Sequence, residues 1–289
     1  MAKLENLTEN LVKAQSIDFA EMFGQKMTTL QQMLGIQRKT PMAVGTTIKT
    51  YTSEVTLENG KIEKGDIIPL SKVEMKEGEP ITLEFDKHRK AVSAEDVQKY
   101  GFDAAISKTD RELIKELQKE VRGRLFAQLK KGTGATKGSG LQSAIANAWG
   151  AVQKVFEDDG VNTIVFVNTE DVAAYLGQAN ITMQKEFGLN YVQNFLGADI
   201  AIISSSIEKG TLYATASDNL NLAYAIVSGG EIGKAFDFTT DETGIIGVTK
   251  DVNKQRLTAE TITLSAIALF AERLDGVIKV TIEAEVPSV

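Results

Sequence analysis

The sequence predicts an α+β fold, and three observations support that prediction. A charge-rich stretch of alternating residues runs from Thr46 to Arg89, a long amphipathic helix follows it up to about Lys131, and mixed helix and strand patterns begin at Leu141. The 289 residues suffice for one large domain or two modest ones. We therefore expect a body of helices and strands with one long polar extension.

The first 45 residues predict an amphipathic arm. Leu4, Leu7 and Leu11 lie at helical spacing, and further large apolar residues follow up to Leu34, while Gly24 interrupts the pattern. Two outcomes are open for these apolar side chains: docking on a partner, or packing on the chain's own body.

The next stretch predicts a long β-hairpin. Residues 46–57 alternate, Asn59-Gly60 offers a tight turn, and extended segments return at 67–76 and 81–87. A strand of about 12 residues spans roughly 40 Å, whereas a compact domain of this length has a radius of gyration of about 19 Å. Sixteen of the 44 residues from Thr46 to Arg89 are charged. We therefore expect the ribbon to project from its own subunit, and a neighbouring copy to support it, because an isolated two-stranded ribbon is marginally stable.

Two helices are predicted after the hairpin. Ser93 is the expected cap of a short helix that ends near Tyr100. Thr109 and Glu112 have the spacing of a capping box, which predicts a long helix from Thr109 to about Lys131. The glycine-rich segment 132–140 predicts a flexible loop.

From Leu141 the pattern is that of an α/β unit. It predicts a helix at 141–155, a buried strand at 162–168, a helix at 169–176 that begins at a Thr169 cap, and strands at 198–204, 211–216 and 222–227. A β-rich tail follows, with strands predicted at 244–250, 261–272 and 277–283.

Composition and motifs argue against several functional classes. The formal net charge of −7 lacks the basic excess of a dedicated nucleic-acid reader, and the absence of cysteine excludes disulfides and thiolate metal sites. His88 is the only histidine and lies in the charged hairpin segment, so neither a Ser-His-Asp triad nor a His-rich metal site is expected. A phosphate-binding P-loop is not expected either, because Lys137 stands where that motif needs glycine. No apolar run approaches the roughly 20 residues that a membrane span needs.

Carboxylate clusters leave one enzymatic alternative open. Glu157, Asp158 and Asp159 form one cluster, and Asp241 and Glu242 form another. Neither has the spacing of a calcium-binding loop, so we interpret both as solvated loops and expect no cofactor. An α/β enzyme that uses carboxylates would instead be recognisable by a deep pocket lined with convergent polar groups.

Charged residues on the hairpin and the long helix are candidates for contacts between subunits. An exposed ion pair contributes only about 0–1 kcal/mol, but pairs repeated over many copies could set the register of an assembly. The predicted contact residues are Glu54, Glu58, Lys61, Glu63 and Lys64 on the hairpin, and Arg122 and Arg124 on the long helix.

The order of these parts resembles the major capsid proteins of tailed bacteriophages, which have the HK97-type fold. The resemblance covers nearly the whole chain and rests on the arm, the projecting hairpin, the long helix and its glycine-rich sequel, the segment Phe195-Leu196-Gly197 before a strand, and the tail strands. It implies an N-terminal arm at 1–45, an extended hairpin loop at 46–92, a peripheral domain with a long spine helix at 93–140, an α/β axial domain at 141–229, and return strands of the peripheral domain at 230–289.

The resemblance also implies a function and partners. We expect a non-enzymatic subunit that assembles with itself into pentamers and hexamers of an icosahedral head around double-stranded DNA. A portal is an expected partner, and because only about 40 residues precede the hairpin, any scaffolding protein is expected to be a separate chain. The expected location is the virion, after assembly in the cytoplasm of the bacterial host, with no membrane contact. An encapsulin-like nanocompartment that encloses a cargo enzyme is the alternative with the same fold.

Overall fold

The computed structural model describes residues 2–56, 58, 61, 67, 69–157, 160–177, 183–227 and 231–284. Helices and strands alternate through most of this length, which confirms the predicted α+β class. The helices are α1 (Ala2–Met33), α2 (Ala94–Tyr100), α3 (Phe102–Leu129), α4 (Gly140–Val155), α5 (Thr169–Leu176) and α6 (Glu231–Ala235). The strands are β1 (Lys39–Pro41), β2 (Thr47–Ile48), β3 (Tyr51–Thr56), β4 (Lys72–Glu77), β5 (Ile81–Thr82), β6 (Asp86–Ser93), β7 (Gly134–Ser139), β8 (Thr163–Val167), β9 (Gln184–Glu186), β10 (Leu189–Phe195), β11 (Ala198–Ile203), β12 (Thr211–Ala216), β13 (Leu220–Tyr224), β14 (Thr239–Thr240), β15 (Ile246–Asn253), β16 (Thr258–Ser265), β17 (Ile267–Ala271) and β18 (Ile278–Glu283).

A seven-stranded mixed sheet forms the centre of the larger core. Its strand order is β7-β18-β12-β8-β11-β10-β9, and β8 is buried along its whole length, as its apolar sequence predicts. Side chains alternate across β8: Val165 and Val167 pack in the cluster that contains α4, whereas Ile164 and Phe166 pack in the cluster that contains α1 and α3. The sheet therefore has a helical layer on each face.

Two smaller sheets complete the body. The four-stranded sheet has the order β14-β15-β16-β6, and the three-stranded sheet has the order β1-β13-β17. The tail segment 261–272, predicted as one strand, is divided between them, because β16 ends at Ser265 and β17 begins at Ile267. Val92, Ala105 and Ile106 pack together and join β6 to the start of α3.

The apolar residues of the N-terminal helix pack on the chain's own body. Phe19, Phe23, Met27 and Leu30 in its second half, and Leu34 directly after it, are at most 2% exposed and belong to the largest apolar cluster. Of the two outcomes left open by the sequence, packing within the subunit is therefore the one observed for these residues.

The long helix α3 begins earlier than the capping-box spacing predicts. It starts at Phe102, and Thr109 lies inside it, where its hydroxyl donates to the carbonyl oxygens of Ala105 (2.9 Å) and Ile106 (2.9 Å). The prediction of a Thr109 cap was wrong because a helical threonine can satisfy its hydroxyl on the preceding turn. The short helix α2 has the predicted Ser93 cap, whose side chain accepts from the amide of Asp96 at 3.2 Å.

The glycine-rich segment is a strand and not a flexible loop. β7 pairs in parallel with β18, and the carbonyl oxygen of Lys137 accepts from the Asn147 side chain of α4 at 2.7 Å. A Cβ on Gly138 would lie 2.3 Å from the backbone of Ala144, so glycine permits the close contact of β7 with α4. The prediction interpreted these glycines as residues of a flexible loop, whereas in the structure they allow β7 to pack closely against α4.

Three further details differ from the expectations. The α5 cap is Asn168, which accepts from the amide of Glu170 at 2.6 Å, and not Thr169. The strands β9 and β10 were not predicted. The last strand, β18, pairs with β12 and β7 in the large sheet beside the predicted axial strands, so it does not rejoin the other return strands. The remaining domain divisions stay predictions.

Candidate assembly interface

The hairpin has a root that is tied to the body. Its strands pair in two antiparallel pieces, β2 with β5 and β3 with β4, and Ile48 and Leu83 are buried against Ala268 and Phe270 of β17. The hairpin begins near Thr47 and ends near Thr82, because β6, predicted as part of it, belongs to the four-stranded sheet. The extended element is thus shorter than the predicted segment 46–92.

Tyr51 fixes the point at which the hairpin leaves the body. Its amide donates to the Glu272 carbonyl oxygen at 3.1 Å, and its own carbonyl oxygen accepts from the amide of Leu274 at 3.2 Å. The Tyr51 hydroxyl donates to the Glu272 carboxylate at 3.3 Å. Burial raises the pKa of Tyr51 above its ordinary value, and the negative charge of Glu272 raises it further. The hydroxyl therefore remains a donor at neutral pH.

A glycine and two ion pairs complete the root. A Cβ on Gly78 would lie 2.6 Å from the Thr50 hydroxyl oxygen and 2.8 Å from Leu274, so the two strands can approach the body this closely only with glycine there. Lys49 pairs with Glu77 at 2.8 Å, and Lys131 pairs with Glu79 at 2.8 Å. The hydrogen bond from Lys131 lowers the pKa of Glu79.

The register moves the hairpin turn away from Asn59-Gly60. A tight turn at those residues would place Thr56 opposite Glu63, but Thr56 pairs with Lys72, and the Glu58 amide donates to the Ser71 hydroxyl at 3.2 Å. This register does not fit a two-residue hairpin turn at Asn59-Gly60. The two residues of the predicted turn themselves lie outside the described ones.

The outer part of the hairpin carries exposed apolar side chains. Ile67 and Leu70 are each 92% exposed, and Val73 and Met75 are 64% and 62% exposed. Val73 and Met75 are two residues apart in β4, so they share one face of the ribbon. We call these four residues the apolar strip. Exposed apolar surface of this kind marks a binding surface.

Three of the five predicted contact residues on the hairpin are among the described residues. Glu54 lies in β3 opposite Glu74, and Glu58 and Lys61 are exposed beyond the paired strands. Glu63 and Lys64 lie outside the described residues. A role of these residues in contacts between subunits stays a prediction. The apolar strip was not predicted, because the contact residues were chosen among the charged side chains of the hairpin. The alternation of Val73 and Met75 in β4 was nevertheless a usable signal.

The two predicted arginines have partners within the subunit. Arg122 donates to the carbonyl oxygen of Phe187, and burial lowers the pKa of its guanidinium. Arg124 forms two hydrogen bonds of 2.6 Å to the Asp86 carboxylate and one of 2.6 Å to Glu120. The bonds to Asp86 raise the pKa of Arg124. Arg124 connects the long helix to β6, and Arg122 connects it to the turn between β9 and β10. A role of either residue between subunits stays a prediction.

In the described part of the chain, no group of three or more His, Asp or Glu side chains is placed to share a metal ion. His88 lies 3.2 Å from the Glu120 carboxylate in an open cleft of about 580 Å³ beside α3, whose lining also includes Leu113, Leu117 and Lys119. Asp241 accepts from the Thr243 hydroxyl at 2.7 Å and packs against Gly24 of α1. None of the helices described is long and apolar enough to cross a bilayer.

Comparison with known proteins identifies the fold. No family model and no curated protein matches the sequence. Among solved structures, the chain is similar to a virus-like particle from Pyrococcus furiosus, at 12% identity and a TM-score of 0.51 over 91% of this chain and 97% of that one. It is similar to the capsid of an empty GTA particle, at 9% identity and a TM-score of 0.57 over 86% of this chain and 89% of that one. The SrpI encapsulin of Synechococcus elongatus has 13% identity and a TM-score of 0.50 over 87% of this chain and 86% of that one.

These similarities define the class of the chain at the level of the fold. The chain has the HK97-type fold that phage capsids share with encapsulins, as the resemblance in the sequence implied. More specifically, most of these structural neighbours are capsids of phages or related particles, which is the group named from the sequence.

Proposed function

We propose that this chain is the structural subunit of an icosahedral phage head, and that it assembles with itself into pentamers and hexamers around double-stranded DNA. The apolar strip carries the proposal, because the subunit by itself leaves these side chains in water. Obligate interfaces commonly exceed 2,000 Å² and are apolar, which suits a long ribbon that lies across a neighbour. The net charge of −7 suits a shell that surrounds DNA without binding it tightly.

The remaining partners of this proposal follow from the same role. A portal would occupy one vertex, and a separate scaffolding protein would guide assembly in the bacterial cytoplasm before the shell becomes part of the virion. We assign no catalytic role, since a shell subunit acts through the contact area between copies.

An experiment with matched variants tests self-assembly. The chain is expressed alone and with candidate scaffolding proteins, and particles are imaged by negative-stain microscopy. We expect closed shells or ring-shaped capsomers from the natural sequence, and folded but unassembled subunits from Ile67→Ser/Leu70→Ser. Val252→Ser/Leu257→Ser removes exposed apolar residues elsewhere and should assemble normally. A monomer under every condition contradicts the proposal, and normal shells from the hairpin variant contradict the role of the strip.

The similarity to an encapsulin supports a second candidate, a nanocompartment that encloses a cargo protein. The contents of purified shells distinguish the two. Nucleic acid detected by absorbance and nuclease protection favours the phage head, whereas a co-purifying protein at fixed stoichiometry favours the nanocompartment.

A further inference from the structure

Strand β17 has a free edge among the described strands. It stands at the end of the order β1-β13-β17, so it pairs on one side only. At its start, the amide of Ala225 donates to the Ala266 carbonyl oxygen at 2.9 Å, which directs the main chain of Ala266 towards β13. Main-chain groups of successive residues point to opposite edges of a strand. The main-chain groups of Ile267 and Leu269 therefore point away from β13.

Leu269 is left with two unmatched main-chain groups. Neither its amide nor its carbonyl oxygen bonds to another described residue, and the Ile267 carbonyl oxygen receives one long bond, 3.5 Å, from the Arg124 guanidinium. Leu269 is only 3% exposed. Main-chain groups in buried positions are nearly always paired. This edge of β17 therefore has the hydrogen-bonding pattern of a strand that receives a neighbour.

The free edge opens into a groove of about 350 Å³. Residues 267–269 of β17, residues of α3 and the segment 81–86 line this groove. The segment does not close it by pairing with β17, because the main chain of Leu83 bonds to Gly45 and Thr46 instead. The volume lies within the range of about 300–1,000 Å³ that is typical of ligand sites. The groove therefore has room for a short piece of polypeptide beside β17.

The side chains of the groove define the segment that fits it. Ala127 on α3 and Ala268 on β17 are small, which leaves space for aliphatic side chains of an added strand. Asp86 is neutralised by two hydrogen bonds of 2.6 Å from Arg124. Glu84 is exposed, and no cation of the described residues pairs with it. The groove thus has one uncompensated negative charge, which favours a lysine or arginine in the segment.

We propose that this groove receives an extended segment of a second protein, which adds to β17 as a further strand. The main chain of the segment pairs with Leu269, and a basic side chain of the segment pairs with Glu84. Main-chain hydrogen bonds supply affinity in strand addition, and the alternate side chains supply selectivity. At about 3.3 Å per residue, four or five residues cover this edge. The docking does not depend on self-assembly of the chain.

A synthetic strand tests this docking. The peptide acetyl-Thr-Val-Lys-Val-Thr-amide is added to the purified chain at up to millimolar concentration, and amide hydrogen exchange is followed by mass spectrometry. We expect slower exchange in the segment that contains Leu269. Two further peptides have N-methyl groups on either their odd or their even residues. A strand pairs through alternate residues only, so one of these two should bind about tenfold more weakly in fluorescence polarisation.

Two substitutions locate the peptide in the groove. Ala127→Arg places a large side chain in the groove from an exposed helical position, so the chain should keep its circular dichroism spectrum and thermal transition while the dissociation constant rises at least tenfold. Ala146→Arg is the matched control, because Ala146 is an exposed alanine of α4 outside the groove, and it should bind the peptide normally. Glu84→Lys should weaken the lysine peptide and strengthen a peptide with glutamate in its place.

Several outcomes would overturn the docking. Unchanged exchange of the Leu269 segment at millimolar peptide excludes strand addition there, and equal affinity of all three peptides shows attachment through side chains alone. Binding to dissociated subunits but not to assembled shells means that a second copy of this chain covers the edge, which overturns the choice of a separate protein. Failure of the proposed self-assembly would appear in microscopy and would leave peptide binding to the subunit measurable.

Discussion

Helix α1 and the hairpin are both long and rich in large apolar residues, but only the helix buries them within the subunit. α1 has 32 residues, a length of about 48 Å, and its side chains from Phe19 to Met33 include a stripe that packs on α3 and the central sheet. Beyond Tyr51 the described strands of the hairpin, β3 and β4, pair with each other, and Ile67 and Leu70 remain 92% exposed.

The difference follows from the number of layers that each element can contact. A helix with one apolar face needs a single neighbouring surface, which the sheet of the same chain supplies. A two-stranded ribbon has two faces, and past its root the described residues Val73 and Met75 of this ribbon have no layer packed over them that would bury them. Equivalent side chains therefore contribute to folding in the helix, and we propose that they contribute to assembly in the hairpin.

The largest expected loss of stability comes from the cluster of charged side chains that connects α1 to α3. Asp110 on α3 lies 2.6 Å from the Lys90 ammonium and accepts from Lys250 at 2.7 Å, and Lys250 also donates to the Gln15 carbonyl oxygen of α1 at 3.1 Å. The Lys250 side chain is only 3% exposed. Asp110→Asn leaves two buried ammonium groups without a counter-charge, so we expect a loss of about 3–5 kcal/mol in the free energy of unfolding.

Urea denaturation measures this loss. Glu116→Gln is the matched control, because Glu116 pairs with Lys119 at 3.3 Å and both side chains are 70% exposed. The control should remain within about 0.5 kcal/mol of the natural sequence. Equal effects of the two variants would mean that the buried cluster does not fix α1 to the body.

One pair of identical substitutions tests the comparison between helix and hairpin directly. Leu30 in α1 is 1% exposed and Leu70 is 92% exposed. We expect Leu30→Ala to lower the free energy of unfolding by about 2–5 kcal/mol through lost burial and a cavity. Leu70→Ala should change it by less than about 0.5 kcal/mol and should instead weaken assembly. Denaturant unfolding and light scattering measure the two quantities, and a large unfolding effect of Leu70→Ala would show that the hairpin folds onto its own subunit.

A substitution at the root of the hairpin should have a smaller effect, on both the stability of the subunit and the position of the hairpin. Gly78→Ala places a methyl group 2.6 Å from the Thr50 hydroxyl, so we expect a loss of about 1–3 kcal/mol from overpacking and a hairpin displaced from the body. Gly123→Ala on α3 meets nothing within 4 Å and should stabilise the subunit by about 0.5–1 kcal/mol. In thermal unfolding we expect Gly78→Ala to lower the midpoint temperature and Gly123→Ala to raise it. Stabilisation by Gly78→Ala would show that the root is loosely packed.

Much of the fold could be predicted from the sequence, because apolar periodicity and capping residues act locally. The buried run from Ile164 to Val167 and the Ser93 cap of α2 were recognisable for that reason. The glycines of β7 were misread, since only the neighbouring helix α4 shows that they permit close packing. A sequence gives the conformational freedom of glycine but not the atoms that surround it.

The candidate interface was predicted in part, and the missing part has a physical reason. The sequence located the projecting hairpin through its length and charge, but it placed the turn at Asn59-Gly60, whereas the observed register pairs Thr56 with Lys72. Register is strongly specified where one face of a strand is buried, and the described apolar residues of β4 are exposed instead. The alternation of Val73 and Met75 in β4 was a usable signal for part of the apolar strip, whereas the exposure of Ile67 and Leu70 required the structure.

The smallest expected effect is a pH dependence that arises beside α1. Burial lowers the pKa of Lys90 from its ordinary value of 10.5, the positive charge of Lys250 adds to this, and Asp110 opposes it. The unfolded chain therefore holds this proton more tightly than the folded chain does, and the charged form of Lys90 destabilises the fold below its folded-state pKa. As pH rises through that value towards 10.5, the destabilisation by the buried charge disappears.

Compared with Lys90→Met, the natural sequence should gain stability over this range in urea denaturation at a series of pH values. Lys115→Met removes a side chain that is 66% exposed and keeps Lys90, so it should gain stability over this range as the natural sequence does. A parallel profile for all three proteins would contradict the burial of the Lys90 charge.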